Sequence, residues 1–115
     1  MIDPQTSWQL VKQNAQKAVI ANMVWHSLIQ DKSYRIKSID QTNIVIERMS
    51  GGEDQILTKE RVEQAVVDFN TQNCRVKRRH LISPTVAEET AFVLFHPDLT
   101  WDTDGDYIVE SNRTI

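Results

Sequence analysis

The sequence predicts an α+β fold in one domain spanning residues 1–115, with about three helices, the N-terminal one long, packed against a small antiparallel sheet made of a hairpin plus short strands. Three observations carry that expectation. Apolar residues recur at helical spacing in three separate stretches. Short runs rich in β-branched residues are divided by turn-forming residues. Helices and strands do not alternate in the regular way that a doubly wound parallel sheet requires.

Asp3-Pro4 starts the first helix, because aspartate caps free amides and proline at the first helical position gives up no hydrogen bond. Trp8, Val11, Ala15, Ala18, Trp25 and Ile29 then form one stripe, with Asn22 as its only polar member. From Ala18 onward the helix is apolar on most sides, through Val19, Ile20, Met23, Val24 and Leu28, until Asp31-Lys32 ends it. A helix that broad in its apolar face is expected to be clamped between two surfaces, one a sheet and the other a second copy of the chain. Tyr34 to Ile39 and Ile44 to Met49 form a hairpin around Asp40-Gln41-Thr42-Asn43, and Ser50-Gly51-Gly52-Glu53 is the next turn. Gln55-Ile56-Leu57 is a third short strand, and Thr58 caps a second helix over Lys59 to Thr71.

Cys74 to Ile82 reads as a strand or extended connector. Ser83-Pro84 opens a third helix carrying Glu88 and Glu89 early, where carboxylates suit the dipole, and His96-Pro97 stops it. Leu99 to Thr103 and Tyr107 to Glu110 flank Asp104-Gly105 as a closing hairpin, followed by a frayed tail.

Charge is divided unevenly along the chain. Residues 1–79 hold twelve basic and nine acidic side chains, whereas residues 80–115 hold one basic and seven acidic. In an extended segment Arg75, Lys77 and Arg79 share a face, with Arg78 beside them, and Arg35 and Lys37 share another near Tyr34. These six cations make a candidate nucleic-acid contact. The competing reading pairs them with the acidic C-terminal hairpin or leaves them solvated, and the overall isoelectric point near 5.5 favours it.

No residue pattern assigns a catalytic centre, a cofactor or a metal. Counting an EF-hand from Asp102 puts Tyr107 where glycine belongs and Arg113 where the bidentate glutamate belongs. His26, His80 and His96 lack ligand spacing, and Cys74 has no second cysteine. No glycine-rich phosphate loop and no G-x-S-x-G elbow occurs. A small enzyme assembled from His80, His96 and nearby carboxylates, or a Cys74–histidine dyad, is a distant alternative. The lone cysteine, the absence of a visible signal peptide at Met1 to Gln5, and an apolar run from Ala18 to Trp25 too short for a membrane span suggest a cytoplasmic protein. The leading expectation is a non-enzymatic protein-binding or self-assembly module, with Trp8, Val19, Met23, Trp25 and Trp101 as candidate interface residues.

Overall fold

The computed structural model describes residues 1–26, 32–81 and 86–111, and the side chain of Val86 is not among those described. It has α1 (Pro4–Ile20), β1 (Trp25–His26), β2 (Ser33–Ile39), β3 (Asn43–Arg48), β4 (Gln55–Thr58), α2 (Lys59–Thr71), β5 (Arg75–Lys77), α3 (Val86–Phe95), β6 (Leu99–Trp101) and β7 (Tyr107–Glu110). The α+β class and the long N-terminal helix are as expected, but the strands divide into two antiparallel sheets rather than one. The larger runs β1-β2-β3-β4 and the smaller β5-β7-β6.

The first helix starts as the sequence implies, with the Asp3 carboxylate accepting the Thr6 amide at 2.7 Å. Accepting that bond also holds the Asp3 carboxyl below its usual range. Its end is a correction. The helix stops at Ile20, and Trp25, expected on the helical stripe, lies instead on β1 opposite Tyr34. Leu28, Ile29 and Asp31 lie outside the described residues.

The cause is Asn22, which is exposed and has φ +52°. With Asn22 left-handed, the Met23 amide reaches the Ala18 carbonyl at 2.9 Å and the Asn22 amide reaches Val19 at 3.1 Å. Those two bonds form a Schellman stop, in which asparagine replaces the usual glycine. The second helix ends the same way. Asn73 has φ +58°, and the Cys74 amide bonds the Phe69 carbonyl at 2.9 Å.

Trp8, Val11, Ala15 and Ala18 on α1 meet Val62, Ala65, Val66 and Phe69 on α2, and both helices pack with the inward residues of the larger sheet. Buried Tyr34, Ile36, Ile44, Ile46 and Leu57 supply that inner face, while Arg35, Lys37 and Ile56 point outward. Two polar side chains fix α1 against its neighbours. The Trp8 indole donates to the Gln41 carbonyl in the hairpin turn at 3.1 Å, and the Asn14 amide donates to the Phe95 carbonyl at 2.8 Å. The second helix starts at Thr58, whose hydroxyl accepts the Arg61 amide at 3.1 Å. The hairpin turn is built on Asp40, whose carboxylate accepts the amides of Thr42 and Asn43 at 2.9 and 2.8 Å.

Glu88 and Glu89 lie in the first turn of α3 as expected, and both are buried, being 2 % and 3 % exposed. Glu88 pairs with the Arg61 guanidinium on α2. Glu89 accepts the amides of Arg79 at 2.7 Å and Leu81 at 3.2 Å, so it braces the chain entering α3. A buried carboxylate is tolerable only when its oxygens are satisfied in this way. The expected helix start at Ser83-Pro84 lies outside the described residues, as does the tail beyond Ser111.

Candidate binding surface

The residues singled out from the sequence separate into core and surface. Trp8 and Trp25, expected at an interface, are core residues at 1 % and 5 % exposed. Trp8 is buried because its stripe is the one that faces α2 and the sheet. Trp25 is buried because β1 turns it inward, stacked on Tyr34 at 6.2 Å between centroids and edge-on to Phe95 at 5.3 Å. Its indole nitrogen is the one buried side-chain donor or acceptor lacking a hydrogen-bond partner among the described residues. Trp101 is half-buried against the core from β6. Val19 and Met23 do reach the surface, next to Ile20 and Val24, with exposures of 43 %, 36 %, 83 % and 44 % respectively.

The basic residues lie in two places. Arg35 and Lys37 share the outward face of β2, paired with Glu47 and Asp54, each at 2.8 Å. The bond to Asp54 raises the Lys37 ammonium above its ordinary pKa, so it stays charged. Arg75 and Lys77 share the outward face of β5, but Arg79 does not join them. It lies past the strand in a turn with φ +74°. The basic segment and the acidic hairpin do touch. Arg75 reaches Asp102 at 3.5 Å and stacks 4.0 Å over the Tyr107 ring, and the Arg78 amide bonds the Asp106 carbonyl at 2.9 Å. The Lys77, Arg78 and Arg79 side chains have no ion-pair partner among the described residues, with Lys77 opposite Tyr107 and the Arg78 guanidinium beside Gly105 of the acidic hairpin. Asp102 itself organises the turn, accepting the Asp106 and Tyr107 amides at 3.0 and 3.3 Å.

One constellation was not legible in the sequence. Ser7 and His96 are both fully buried, with Oγ and Nε2 at 2.7 Å. This resembles a nucleophile with its base, and the hydrogen bonding decides against it. His96 Nδ1 accepts the Asp98 amide at 3.0 Å, so the ring proton sits on Nε2 and is donated to Ser7. Ser7 passes its own proton to the Asp3 carbonyl at 2.7 Å. A serine nucleophile needs the opposite direction, with the imidazole accepting. Burial also pushes the His96 pKa down, only partly opposed by Asp98, so the ring at this helix end is held neutral. His80 is exposed after β5, so the two histidines occupy different environments. The Cys74 thiol donates to Asn70 Oδ1 at 3.8 Å, and burial raises its pKa, so it is not an activated thiolate.

One of the surface grooves among the described residues, of about 330 Å³, lies at the end of α1. Val19, Met23 and Val24 form one wall, and Arg35, Ile36 and Lys37 form the other together with Glu47, the ion-pair partner of Arg35. Its origin is the Schellman stop at the end of α1. The register that pairs Trp25 with Tyr34 and His26 with Ser33 would, if continued, set Met23 opposite Ile36. The Met23 amide is instead spent on the Ala18 carbonyl, so the chain leaves the sheet and β1 covers only Ser33 and Tyr34. Because the Ser33 carbonyl accepts the Met49 amide from the β3 side, strand alternation turns the backbone of Ile36 toward the uncovered side. Among the described residues nothing pairs with β2 from Arg35 to Ile39 on that side.

No described helix is long and apolar enough to cross a membrane. No family model, no curated protein and no solved structure matches this chain, so the reading of its surface rests on its own residues.

Proposed function

We propose that this chain is a non-enzymatic protein-binding module that docks a polypeptide on the surface formed by Val19, Ile20, Met23 and Val24. The single observation behind the reading is that cluster of large apolar side chains, left in water at the end of a helix whose inward stripe of Trp8, Val11, Ala15 and Ala18 is buried. Contiguous apolar surface in water favours burial against a partner. Burying what remains exposed of these four side chains is worth about 4 kcal/mol in total. Association costs roughly 4–15 kcal/mol in lost freedom of motion, so the patch alone does not hold a partner tightly. The groove beside it supplies further contacts.

A photo-crosslinking residue at position 20 or 24, with Gln13 on the exposed side of the same helix as control, tests the reading in the native cell. Adducts at 20 and 24 that are absent at 13, and absent again when Met23→Asp is combined with either, support it. A doubled mass identifies a second copy as the partner. Equal labelling at all three positions, or none at any, overturns it.

A further inference from the structure

The partner's conformation follows from what the groove lacks. We propose that the uncovered edge of β2 receives an extended polypeptide segment as an added strand, with acidic side chains at alternate positions, an inference that rests on the protein-binding reading above. The open stretch, Arg35 to Ile39, is about 14 Å long at the rise of an antiparallel strand, room for roughly five residues, and it carries a register shift between Ile36 and Ser38 that an added strand has to follow. An edge of this kind presents unused backbone donors and acceptors, which a strand satisfies and a helix does not. On the inner side of the groove, alternate residues of the segment would meet Val19, Met23 and Val24. On the outer side the others would meet Arg35 and Lys37.

Charge selects the occupant. Arg35 gives only its Nε to Glu47, and Lys37 gives one proton to Asp54, so two guanidinium nitrogens and two ammonium protons remain on the outward face. A carboxylate on the incoming strand meets both cations. A second copy of β2 does not. Antiparallel registers centred on Arg35, Ile36 or Lys37 set Arg35 or Lys37 directly opposite a like charge, which opposes pairing. The same two residues that discourage self-association at this edge therefore favour an acidic segment.

Selection of displayed random twelve-residue peptides on the full chain tests this directly. Enriched peptides are expected to alternate acidic and apolar residues over about five positions. N-methylation at alternate peptide amides should weaken binding at least about tenfold, while methylation at the intervening amides leaves it within twofold, since only alternate amides face β2. Lys37→Glu should weaken an acidic peptide about fivefold and be rescued by the peptide carrying lysine in place of the acid. Peptides whose apolar residues recur at helical spacing, and which tolerate N-methylation everywhere, would overturn the added strand while leaving the protein-binding reading standing. Failure to select any peptide overturns the strand. Together with unlabelled positions 20 and 24 in the crosslinking experiment, it overturns both.

Discussion

Trp8 and Trp25 are buried to nearly the same extent, yet one indole nitrogen is bonded and the other has no partner among the described residues, and that contrast sets a quantitative expectation. Replacing either with phenylalanine removes the same atoms from the core, so the packing loss is similar to first order. At Trp8 the change also deletes the bond to the Gln41 carbonyl at 3.1 Å, costing about 1 kcal/mol. At Trp25 it deletes a buried donor that has no partner among the described residues, which returns about 1–3 kcal/mol of desolvation. Phenylalanine keeps the aromatic contacts with Tyr34 and Phe95. Trp8→Phe is therefore expected to be less stable than Trp25→Phe by about 2–4 kcal/mol. In urea titrations followed by circular dichroism, with equal slopes, their midpoints should differ by roughly 1–3 M. If Trp25→Phe loses as much as Trp8→Phe, or more, the assignment of bonded and unbonded indoles is wrong.

Asn22→Ala keeps a Cβ at φ +52° but loses the short polar side chain that makes this conformation tolerable for asparagine, and should lower the melting temperature by about 4–6 °C, while Asn22→Gly leaves it unchanged or raises it. A greater loss with glycine than with alanine would contradict the Schellman stop. His96 is held neutral by burial, so its pKa is lower in the folded chain than in the unfolded one. The unfolded chain then takes up more protons as pH falls below about 6.5, and stability declines by up to about 1.4 kcal/mol per pH unit until the folded pKa is reached. Above pH 6.5 this contribution is complete and constant. His96→Gln, whose amide can still donate to Ser7, should flatten that decline between pH 6.5 and 5 in urea titrations; an unchanged decline would place its source elsewhere. Asp3, Asp40 and Glu110, with carboxyls held below their usual range, add losses in the same direction only at lower pH.

The elements read most accurately from the sequence are those fixed by local chemistry. Thr58 ahead of a periodic apolar run, Asp3-Pro4 at a helix start, and Asp104-Gly105 between two short apolar runs each carry their own hydrogen-bonding or dihedral requirement within a few residues. Asn22 was equally local but ambiguous. Its place on the apolar stripe suggested a polar member of a continuing helix, whereas asparagine is also the residue that tolerates the left-handed conformation after glycine. The apolar run beyond it gave no sign that its period changes from helix to strand at Trp25. The burial of Glu88 and Glu89 has no local signature, because it depends on Arg61, 27 residues away in sequence from Glu88, and on the amides of Arg79 and Leu81. The Ser7–His96 bond spans 89 residues, and no periodicity encodes such a contact. The groove was half visible. Val19 and Met23 were named for their apolarity and Arg35 and Lys37 for their charge, but only the fold brings the two pairs to opposite walls of one cleft.

One turn chemistry thus has two consequences, since the bond that ends α1 at Ala18 also removes Met23 from the edge of β2. Amide hydrogen exchange of the free chain examines that link without any partner. The Ile36 amide should exchange far faster than those of Tyr34 and Arg35, which face β1 and β3. An Ile36 amide as protected as its two neighbours would mean that the edge is already covered, and the docking surface described above would not exist.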